Sequence, residues 1–443
     1  MSLQFITGNS GNGKTKYLFN RIVKEAKANP RDNYLVIVPE QFTMQTQRQL
    51  VDLSENKAIM NIDVLSFKRL AYRVFDELGI TNLTVLEETG KNLVLRKLAA
   101  QEADKLGVIG RNLNRIGYIS EVKSLLSELV QYNISPEELG RYIASGRLSD
   151  TLSDKLKDVL VLYEAFEKFM QDKYITAEEI LNVLSNVAEE SAILRNSVIA
   201  FDEFTGFTPI QNQLIKKLFV ISKKIYVTLT IDCREDIFKS RGMQELFDMP
   251  KRTVKSLTEM AAFYGIEVEE PIILDKNYRL AENEELSFME QQFFRKRRCS
   301  FKKVPKHIHI DCLRDPKQEL TKIARRINEL VRNENLRYRD IAIVTGDVNI
   351  YAGYVREIFD KYNIPYFIDA TQEILFHPFI EFIRSIPDIA AQNFSADAVF
   401  RFLRCGFSEL LDSEIDVLEN YVLACGVRGK SAWDKKVGQA AKA

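Results

Sequence analysis

Short runs of apolar, mostly β-branched residues recur along the chain, and each run is bounded by polar or turn-forming residues. Their length and apolar continuity are typical of strands that are buried on both faces of a parallel sheet. The runs are LQFIT (3–7), YLVIV (34–38), IDVLSF (62–67), SVIAF (197–201) and IYVTLTI (225–231). The pattern predicts an α/β fold built around a parallel sheet.

The pattern between residues 86 and 190 is helical, because apolar residues repeat there at intervals of three and four. The repeating positions include Ile119, Val122, Leu125, Leu126, Leu129 and Val130, then Leu156, Val159, Leu160, Tyr163 and Phe166. We therefore predict an all-helical insertion at 86–190, inside a first lobe formed by residues 1–85 and 191–275.

A second alternation of strand and helix patterns begins near residue 305. Its members, in order, are HIHIDCL (307–313), a helix at 319–331, DIAIVTG (340–346) and a helix at 351–362. Such alternation indicates a second α/β lobe, which we place at 276–376. Residues 377–443 are predicted to begin a helical insertion in that lobe.

Composition limits the classes of function. Lys plus Arg and Asp plus Glu both number 62, so the whole chain has no electrostatic bias toward nucleic acid. The five cysteines form no CxxC pair, and neither a zinc site nor a disulfide framework is indicated. No segment reaches the length of a membrane span, and there is no secretory signal, so we expect a cytoplasmic protein without membrane contact.

Residues 8–15 read GNSGNGKT, between a predicted strand and a predicted helix. Glycines let the backbone approach a phosphate and point its N–H groups at it, while Lys14 supplies a positive charge and Thr15 a hydroxyl for Mg²⁺. The predicted cradle consists of Gly8, Asn9, Ser10, Gly11, Asn12, Gly13, Lys14 and Thr15. A glycine-rich turn that matches by accident is the alternative, but the strand and helix around it favour a P-loop that binds ATP or a similar triphosphate.

A P-loop also needs a carboxylate at the end of a neighbouring strand to hold the Mg²⁺ shell. Asp202 follows the apolar run SVIAF directly, and Glu203 comes next. We predict that Asp202 serves the metal and that Glu203 orients or deprotonates the attacking water. The alternative is an acidic turn at a strand end, which is common in α/β proteins.

Several segments, taken in order, resemble the motifs of superfamily 1 helicases of the UvrD and RecB type. They are VPEQFTMQTQRQL (38–50) for motif Ia, VLSFKRLAYRVF (64–75) for motif Ib, DEFTGFTPIQ (202–211) for motif II and ILDKNYRL (273–280) for motif IV. The resemblance implies a catalytic role for Gln211 and places Arg279 where that group has an arginine that senses the γ-phosphate. TIDCRED (230–236) lies at the position of motif III but lacks the expected glutamine.

The P-loop near the start of the chain, VPEQFT and LENYVLACGVRGK (417–429) together resemble the AddB family, called RexB in some bacteria. The resemblance implies a P-loop NTPase with two RecA-like parallel-sheet lobes and helical insertions. It also implies a protein that binds ATP and single- and double-stranded DNA. Such a protein pairs with an AddA-type helicase/nuclease subunit to process double-strand breaks for recombinational repair.

In this group of helicases, motifs Ia and Ib line the channel for single-stranded DNA. The residues implied by the resemblance are Gln41, Phe42, Thr43, Ser66 and Phe67, and core packing is the alternative for both phenylalanines. The basic run FRKRRCSFKK (294–303) offers Arg295, Arg297 and Arg298 for phosphate contacts. A solvated basic linker is the alternative interpretation of that run.

Two other functions are compatible with the P-loop. An autonomous superfamily 1 DNA translocase would use Asp202 and Glu203 for hydrolysis. A small-molecule P-loop kinase would need an acceptor pocket and a lid near the P-loop, where a long helical region intervenes instead. We find no nuclease-type cluster of carboxylates and a lysine outside the ATP site, and expect this chain alone to be neither a processive helicase nor a nuclease.

Overall fold

The structure is a computed structural model of the 443-residue chain. It describes residues 1–81, 84–108, 110, 117–145, 148–170, 174–293, 295, 299–370, 374 and 376–434. The chain divides into two compact units, Met1–His309 and Ile310–Ala443. The candidate site lies in the first unit.

The first unit is built on a parallel sheet. Its strands are β1 (Ser2–Gly8), β2 (Tyr34–Ile37), β3 (Ile62–Leu65), β6 (Val198–Phe201), β7 (Lys224–Thr230), β8 (Glu267–Val268) and β9 (Ile272–Leu274), and β4 (Val85–Leu86) pairs separately with β5 (Ile175–Thr176). The order across the sheet is β3-β2-β6-β7-β1, and both β8 and β9 pair with β1. All these pairs are parallel, so the five predicted strands and the parallel sheet are confirmed.

Alternate residues of the central strands face opposite layers of the core, as the two-residue period of a strand requires. In β2, Leu35 and Ile37 join the cluster on one face. Tyr34 and Val36 join the cluster on the other. Burial on both faces explains why these strands read as continuous apolar runs rather than as alternating ones.

Eleven α-helices lie in the described part of the first unit. They are α1 (Lys14–Ala28), α2 (Thr43–Leu53), α3 (Phe67–Leu78), α4 (Glu88–Gln101), α5 (Tyr118–Gln131), α6 (Pro136–Ala144), α7 (Asp150–Met170), α8 (Ile180–Val187), α9 (Pro209–Ile221), α10 (Asp248–Phe263) and α11 (Glu284–Gln292). Helices α4 to α7 contribute to a hydrophobic cluster of their own, around Leu95, Leu126 and Leu162. The region predicted as an insertion is therefore mainly helical, and its bounds of 86–190 stay a prediction.

The second unit is helical in its described residues. Its helices are α12 (Pro316–Asn333), α13 (Val348–Lys361), α14 (Pro378–Ala391), α15 (Ala396–Leu403), α16 (Asp412–Cys425) and α17 (Lys430–Trp433). Helices α12 and α13 pack together through a small cluster that includes Leu320 and Phe359.

The strands predicted at 307–313 and 340–346 are wrong, because neither segment forms a strand in this structure. A strand needs a neighbour that pairs with its N–H and C=O groups. Ile310 and Val344, which would have to be covered by another layer, are exposed instead. The apolar pattern alone did not reveal that these segments lack a partner within the described residues.

The carboxyl ends of β1, β6 and β7 lie side by side, because these three strands are adjacent and parallel. Ligands of open parallel sheets bind in the crevice outside this edge. Among the described residues, no helix is long and apolar enough to cross a membrane.

Candidate nucleotide site

The loop that joins β1 to α1 is tight, as the predicted phosphate cradle requires. Gly11 has a φ of +87°, in the left-handed region that favours glycine. A Cβ atom at Gly8 would lie 2.5 Å from the carbonyl oxygen of Leu274, the last residue of β9. Glycine is therefore required at both positions, and the predicted cradle residues 8–15 form a compact loop at the amino end of α1.

Lys14, the first residue of α1, folds back over this loop. Its ammonium donates hydrogen bonds to the carbonyl oxygens of Gly8 (3.1 Å) and Asn9 (3.0 Å). Burial lowers the pKa of the Lys14 ammonium, although the carboxylates of Asp202 and Glu203 act in the opposite direction. The cation is thus held at the cradle by weak acceptors that phosphate oxygens could replace.

Asp202 lies at the end of β6 and is 1% exposed. Its Oδ1 accepts a hydrogen bond from the Thr228 hydroxyl of β7 and lies 3.3 Å from the Thr15 hydroxyl. Its Oδ2 is buried without a hydrogen-bond partner among the described residues. Burial raises the pKa of this carboxyl group. A buried carboxylate oxygen without a partner is costly unless a cation or donor satisfies it, and this oxygen suits a hard cation such as Mg²⁺.

Glu203 is exposed and directly follows Asp202. Its Oε1 lies 3.3 Å from the Thr15 hydroxyl, which also faces Asp202. The backbone of Glu203 has a φ of +64°, which is uncommon for a residue with a side chain and tends to occur at functional sites. The turn brings both predicted carboxylates to the same hydroxyl group.

Residues 277–279, which we call the strap, cross the tip of the cradle. The amide N–H groups of Tyr278 (3.0 Å) and Arg279 (3.3 Å) donate to the carbonyl oxygen of Gly11. The Asn277 side chain donates to the carbonyl oxygen of Ser10 (3.0 Å). The strap thereby brings Arg279, a predicted site residue, to the phosphate cradle.

The strap also contains two contributors that the sequence interpretation missed. Asn277 fixes the strap to Ser10, and the Tyr278 ring covers Gly13, where an added Cβ atom would lie 3.5 Å from the ring. Both residues directly precede Arg279 in ILDKNYRL, the segment that resembles motif IV, so the sequence already pointed to this part of the chain. Their contact with the loop, however, joins residues that are far apart in the chain, which no local pattern reveals.

A cleft of about 700 Å³ opens between the cradle and the sheet edge. Its lining comprises Ser10, Gly11, Gly13, Lys14, Thr15, Lys16, Phe19, Gln49, Asp52, Leu53, Glu203, Phe204, Thr205, Thr228, Thr230, Pro250, Tyr278 and Arg279. Four of the five predicted catalytic residues, namely Lys14, Asp202, Glu203 and Arg279, thus line the cleft or contact a residue that does. The volume is sufficient for a nucleotide-sized ligand.

Gln211 caps a helix in this structure, and the catalytic role that the resemblance implied stays a prediction. Its side-chain oxygen accepts from the Thr208 amide (2.9 Å), while its own backbone amide donates to the Thr208 hydroxyl (3.4 Å). These reciprocal bonds form a capping box at the start of α9. The side chain is committed to the helix end and does not line the cleft.

The residues predicted from motifs Ia and Ib are mostly buried. Thr43 is buried and donates to the carbonyl oxygen of Glu40 (3.0 Å), and Phe42 is half-buried. The Ser66 hydroxyl caps α3 and donates to the Glu40 carboxylate, so it is already engaged. Of this group, Gln41 alone is exposed.

Phe67 packs in the core, which is the alternative that the sequence left open. Its ring lies 5.8 Å from that of Phe201 and 5.5 Å from that of Phe204. Stacking on a base would require this ring to leave an aromatic cluster of the core. The position therefore supports packing of α3 on β6 rather than a surface for DNA.

Arg295, predicted as a phosphate contact, is bound to a buried carboxylate instead. Its Nη2 lies 2.7 Å from Oδ2 of Asp232, which is 2% exposed, and its guanidinium lies over the Phe247 ring at 5.1 Å. Arg234 binds the same carboxylate. Burial alone would raise the pKa of Asp232, but the hydrogen bonds from Arg234 and the charge of Arg295 lower it to about 2. Arg297 and Arg298 lie outside the described residues.

Comparison with known proteins agrees with the motifs. A family described as "ADDB, N-terminal" matches residues 5–290. The chain is 39% identical to the B-type subunit of the ATP-dependent helicase/deoxyribonuclease of Lachnoclostridium phytofermentans, over 98% of this chain and 39% of that protein. It is 34% identical to the proteins of the same name from Clostridium tetani and Clostridium acetobutylicum, over 99% and 98% of this chain. The chain spans 38 to 39% of the length of these curated relatives.

Proposed function

The chain belongs to the AddB family, and on that premise we propose that it is the N-terminal, helicase-like region of an AddB-type subunit of an ATP-dependent helicase/deoxyribonuclease. In this proposal the region binds ATP with Mg²⁺ and single-stranded DNA in the cytoplasm. It acts with an AddA-type subunit on double-stranded DNA ends, in double-strand break processing for recombinational repair. Residues 1–85 with 191–275, which contain the parallel sheet, form the proposed RecA-like lobe.

One observation carries the nucleotide part of the proposal: Asp202, Thr15 and Lys14 meet at one end of a glycine-lined cleft. The Asp202 carboxylate, whose Oδ1 lies 3.3 Å from the Thr15 hydroxyl and whose Oδ2 is unpartnered among the described residues, forms with that hydroxyl a donor set that fits Mg²⁺. Lys14 and the loop amides supply positive charge for the phosphates. Bound Mg²⁺ would neutralise the phosphate charge that develops during hydrolysis.

The remaining side chains of the cleft have separate roles in this proposal. Glu203, exposed and 3.3 Å from the Thr15 hydroxyl, orients a water molecule and accepts its proton. Arg279, brought to the cradle by the strap, contributes a second cation. Tyr278 shields the loop from solvent on the side of Gly13.

Lys14→Ala is the test of nucleotide binding. Removing the cation should weaken the binding of ATP and Mg²⁺ by at least about 30-fold, because it deletes charge-assisted hydrogen bonds to phosphate. Lys24→Ala is the matched control, since Lys24 is an exposed lysine of the same helix outside the cleft. Isothermal titration calorimetry measures both. Equal affinities of the wild type and Lys14→Ala would refute the proposed site.

The DNA part of the proposal depends on the family and on one exposed residue. The relatives are named as helicase/deoxyribonuclease subunits, and Gln41 is exposed beside the sheet edge. Gln41→Ala should weaken the binding of a fluorescent single-stranded oligonucleotide by a few-fold, measured by anisotropy. Gln45→Ala, another exposed glutamine of the same segment, is the control. An identical affinity for Gln41→Ala would remove this residue from the proposed interface.

An autonomous translocase is the second candidate, because Asp202 and Glu203 both lie near Thr15. The two candidates differ in what they need for motion along DNA. DNA-stimulated ATP turnover by the chain in the absence of any partner protein would favour the translocase. Turnover that requires an AddA-type partner would favour a role within a two-protein complex.

A further inference from the structure

Asn9, the second residue of the cradle, connects three segments that are far apart in sequence. Its side-chain N–H donates to the Glu290 carboxylate of α11 at 2.7 Å. Its side-chain oxygen accepts from the amide of Cys233, which follows β7, at 2.9 Å. Asn9 is 5% exposed, so the amide is enclosed as well as bonded at both ends. Its orientation is therefore fixed by its partners.

We infer that Glu290 is a positioning residue of the nucleotide site and that it acts through Asn9. The inference rests on the proposed nucleotide-binding function. The hydrogen bond from Asn9 is charge-assisted, since its acceptor is a carboxylate, and such bonds are the stronger ones. By holding the side chain of Asn9, Glu290 fixes the backbone at the start of the cradle, where amide groups must face the phosphates.

The residue before Cys233 in the loop after β7 also binds the segment that contains Glu290. The buried carboxylate of Asp232, adjacent to Cys233, binds Arg295 just beyond α11. Thus both ends of the segment from Glu290 to Arg295 are attached to the loop after β7 or to the cradle. Arg295 thus holds the end of this segment against the loop after β7 through a contact that does not involve Asn9.

The ammonium of Lys14 is bound within the cradle itself. The loop has its own internal contacts, from Lys14 to the carbonyl oxygens of Gly8 and Asn9. Those contacts compete with phosphate for the lysine. When a ligand binds, Lys14 must exchange these carbonyl oxygens for phosphate oxygens. The hydrogen bond from Asn9 to Glu290 keeps the shape of the cradle during this exchange. The free energy of ligand binding is therefore not spent on ordering the loop.

The test compares Glu290→Ala with Glu290→Gln by calorimetry with ATP and Mg²⁺. Glu290→Ala should weaken binding about tenfold, the expected effect of losing one charge-assisted hydrogen bond. Glu290→Gln keeps an acceptor for the Asn9 amide and should stay within about threefold of the wild type. Glu284→Ala is the control, because Glu284 lies on the same helix and forms an exposed pair with Lys303.

A double-mutant cycle separates positioning from general damage to the fold. In an Asn9→Ala background, Glu290→Ala should cause no further loss of affinity, because its partner is already absent. Hydrogen exchange gives a local measurement on the protein without nucleotide. The Cys233 amide should exchange faster in Glu290→Ala, while amides of β1 keep the protection that they have in the wild type.

The outcomes distinguish this inference from the function on which it rests. If the wild-type chain does not bind ATP and Mg²⁺, the proposed function is refuted. If the wild type binds, but Glu290→Ala binds equally well, the positioning role is refuted while the function stands. Equal losses in Glu290→Ala and Glu290→Gln, or additive losses in the cycle, also contradict positioning through Asn9.

Discussion

Gly11→Ala is the substitution whose effect follows most directly from the geometry of the cradle. The backbone of Gly11 is left-handed, with a φ of +87°, and the added Cβ would lie 2.8 Å from Cβ of Arg279 and 2.9 Å from Oδ1 of Asn277. Both atoms belong to the strap that hydrogen-bonds to the Gly11 carbonyl oxygen. The change therefore strains the cradle and pushes the strap away from it.

Two contributions make up the expected decrease in the free energy of unfolding. A residue with a side chain in the left-handed region costs about 1–2 kcal/mol relative to glycine. Ordinary contact begins at 3.4 Å, so the strap must retreat by roughly 0.6 Å, and overpacking of this kind costs about 1–3 kcal/mol. Together they predict a decrease of about 3 kcal/mol in the free energy of unfolding, or a displaced strap with weaker nucleotide binding.

Gly79→Ala is the control that isolates the first contribution. Gly79 ends α3 with a φ of +69°, and a Cβ atom there would meet no other atom within 4 Å. The free energy of unfolding of Gly79→Ala should be about 1 kcal/mol lower than that of the wild type, and its nucleotide affinity should be unchanged. Urea unfolding and calorimetry with ATP and Mg²⁺ measure the two effects. If Gly11→Ala matches Gly79→Ala in both assays, the contact between the strap and the cradle is not important in solution.

Three further predictions concern the carboxylates. Glu203→Gln should leave ATP affinity unchanged and slow any turnover by about 100-fold, because an amide cannot accept the proton; equal turnover by wild type and variant would contradict this. Thr228→Val should reduce the free energy of unfolding by about 1–3 kcal/mol, since the buried Asp202 loses a donor, whereas Thr230→Val at the exposed end of β7 should not. Asp232 has a folded pKa of about 2, below its ordinary value of 3.8. The ionised Asp232 therefore contributes about 2 kcal/mol to the free energy of unfolding above pH 3.8. This contribution is lost as the pH falls from 3.8 through the folded pKa of about 2. Urea unfolding at several pH values should show that the difference in stability between the wild type and Asp232→Asn narrows over this pH range.

Most of the sheet of the first unit could be predicted because its central strands are buried on both faces. Continuous apolar runs such as YLVIV leave few alternatives to a strand of a parallel sheet. Strands β8 and β9 were missed, since they have two and three residues and become strands only by pairing with β1. The two strands predicted at 307–313 and 340–346 are wrong because their apolar residues have no neighbouring strand to pair with among the described residues.

The candidate site was predictable where chemistry follows local pattern. GNSGNGKT and the acidic pair after SVIAF required no knowledge of distant contacts. Thr208 and Gln211 show the limit of resemblance, because T-x-x-Q before an apolar helix is also the pattern of a capping box. In the structure, Thr208 and Gln211 form this capping box at the start of α9.

Arg295 could not be assigned from sequence, since a basic run shows the number of charges but not their partners. Its carboxylate, Asp232, lies 63 positions earlier in the chain. An arginine that is 15% exposed and bound to a buried aspartate stabilises the fold, whereas the exposed Lys302 and Lys303 remain at the surface. Phosphate contacts of this segment should therefore be sought among its lysines before Arg295.

The meeting of Asp202 with Thr228 follows from strand register, which the apolar residues determine indirectly. Strands β6 and β7 pair so that Phe201 is opposite Val227. Asp202, which directly follows β6, therefore comes beside Thr228, the next residue of β7. A slip of one residue would move Ile199 and Phe201 into the layer that packs Val198 and Ala200, and the reverse. The mismatch in side-chain volume disfavours this slip. The register in turn pairs Ile6 with Thr228 across β1 and β7, which places the start of the cradle beside the carboxylate. The apolar residues of the sheet thus determine the position of the polar site, although none of them contributes to its chemistry.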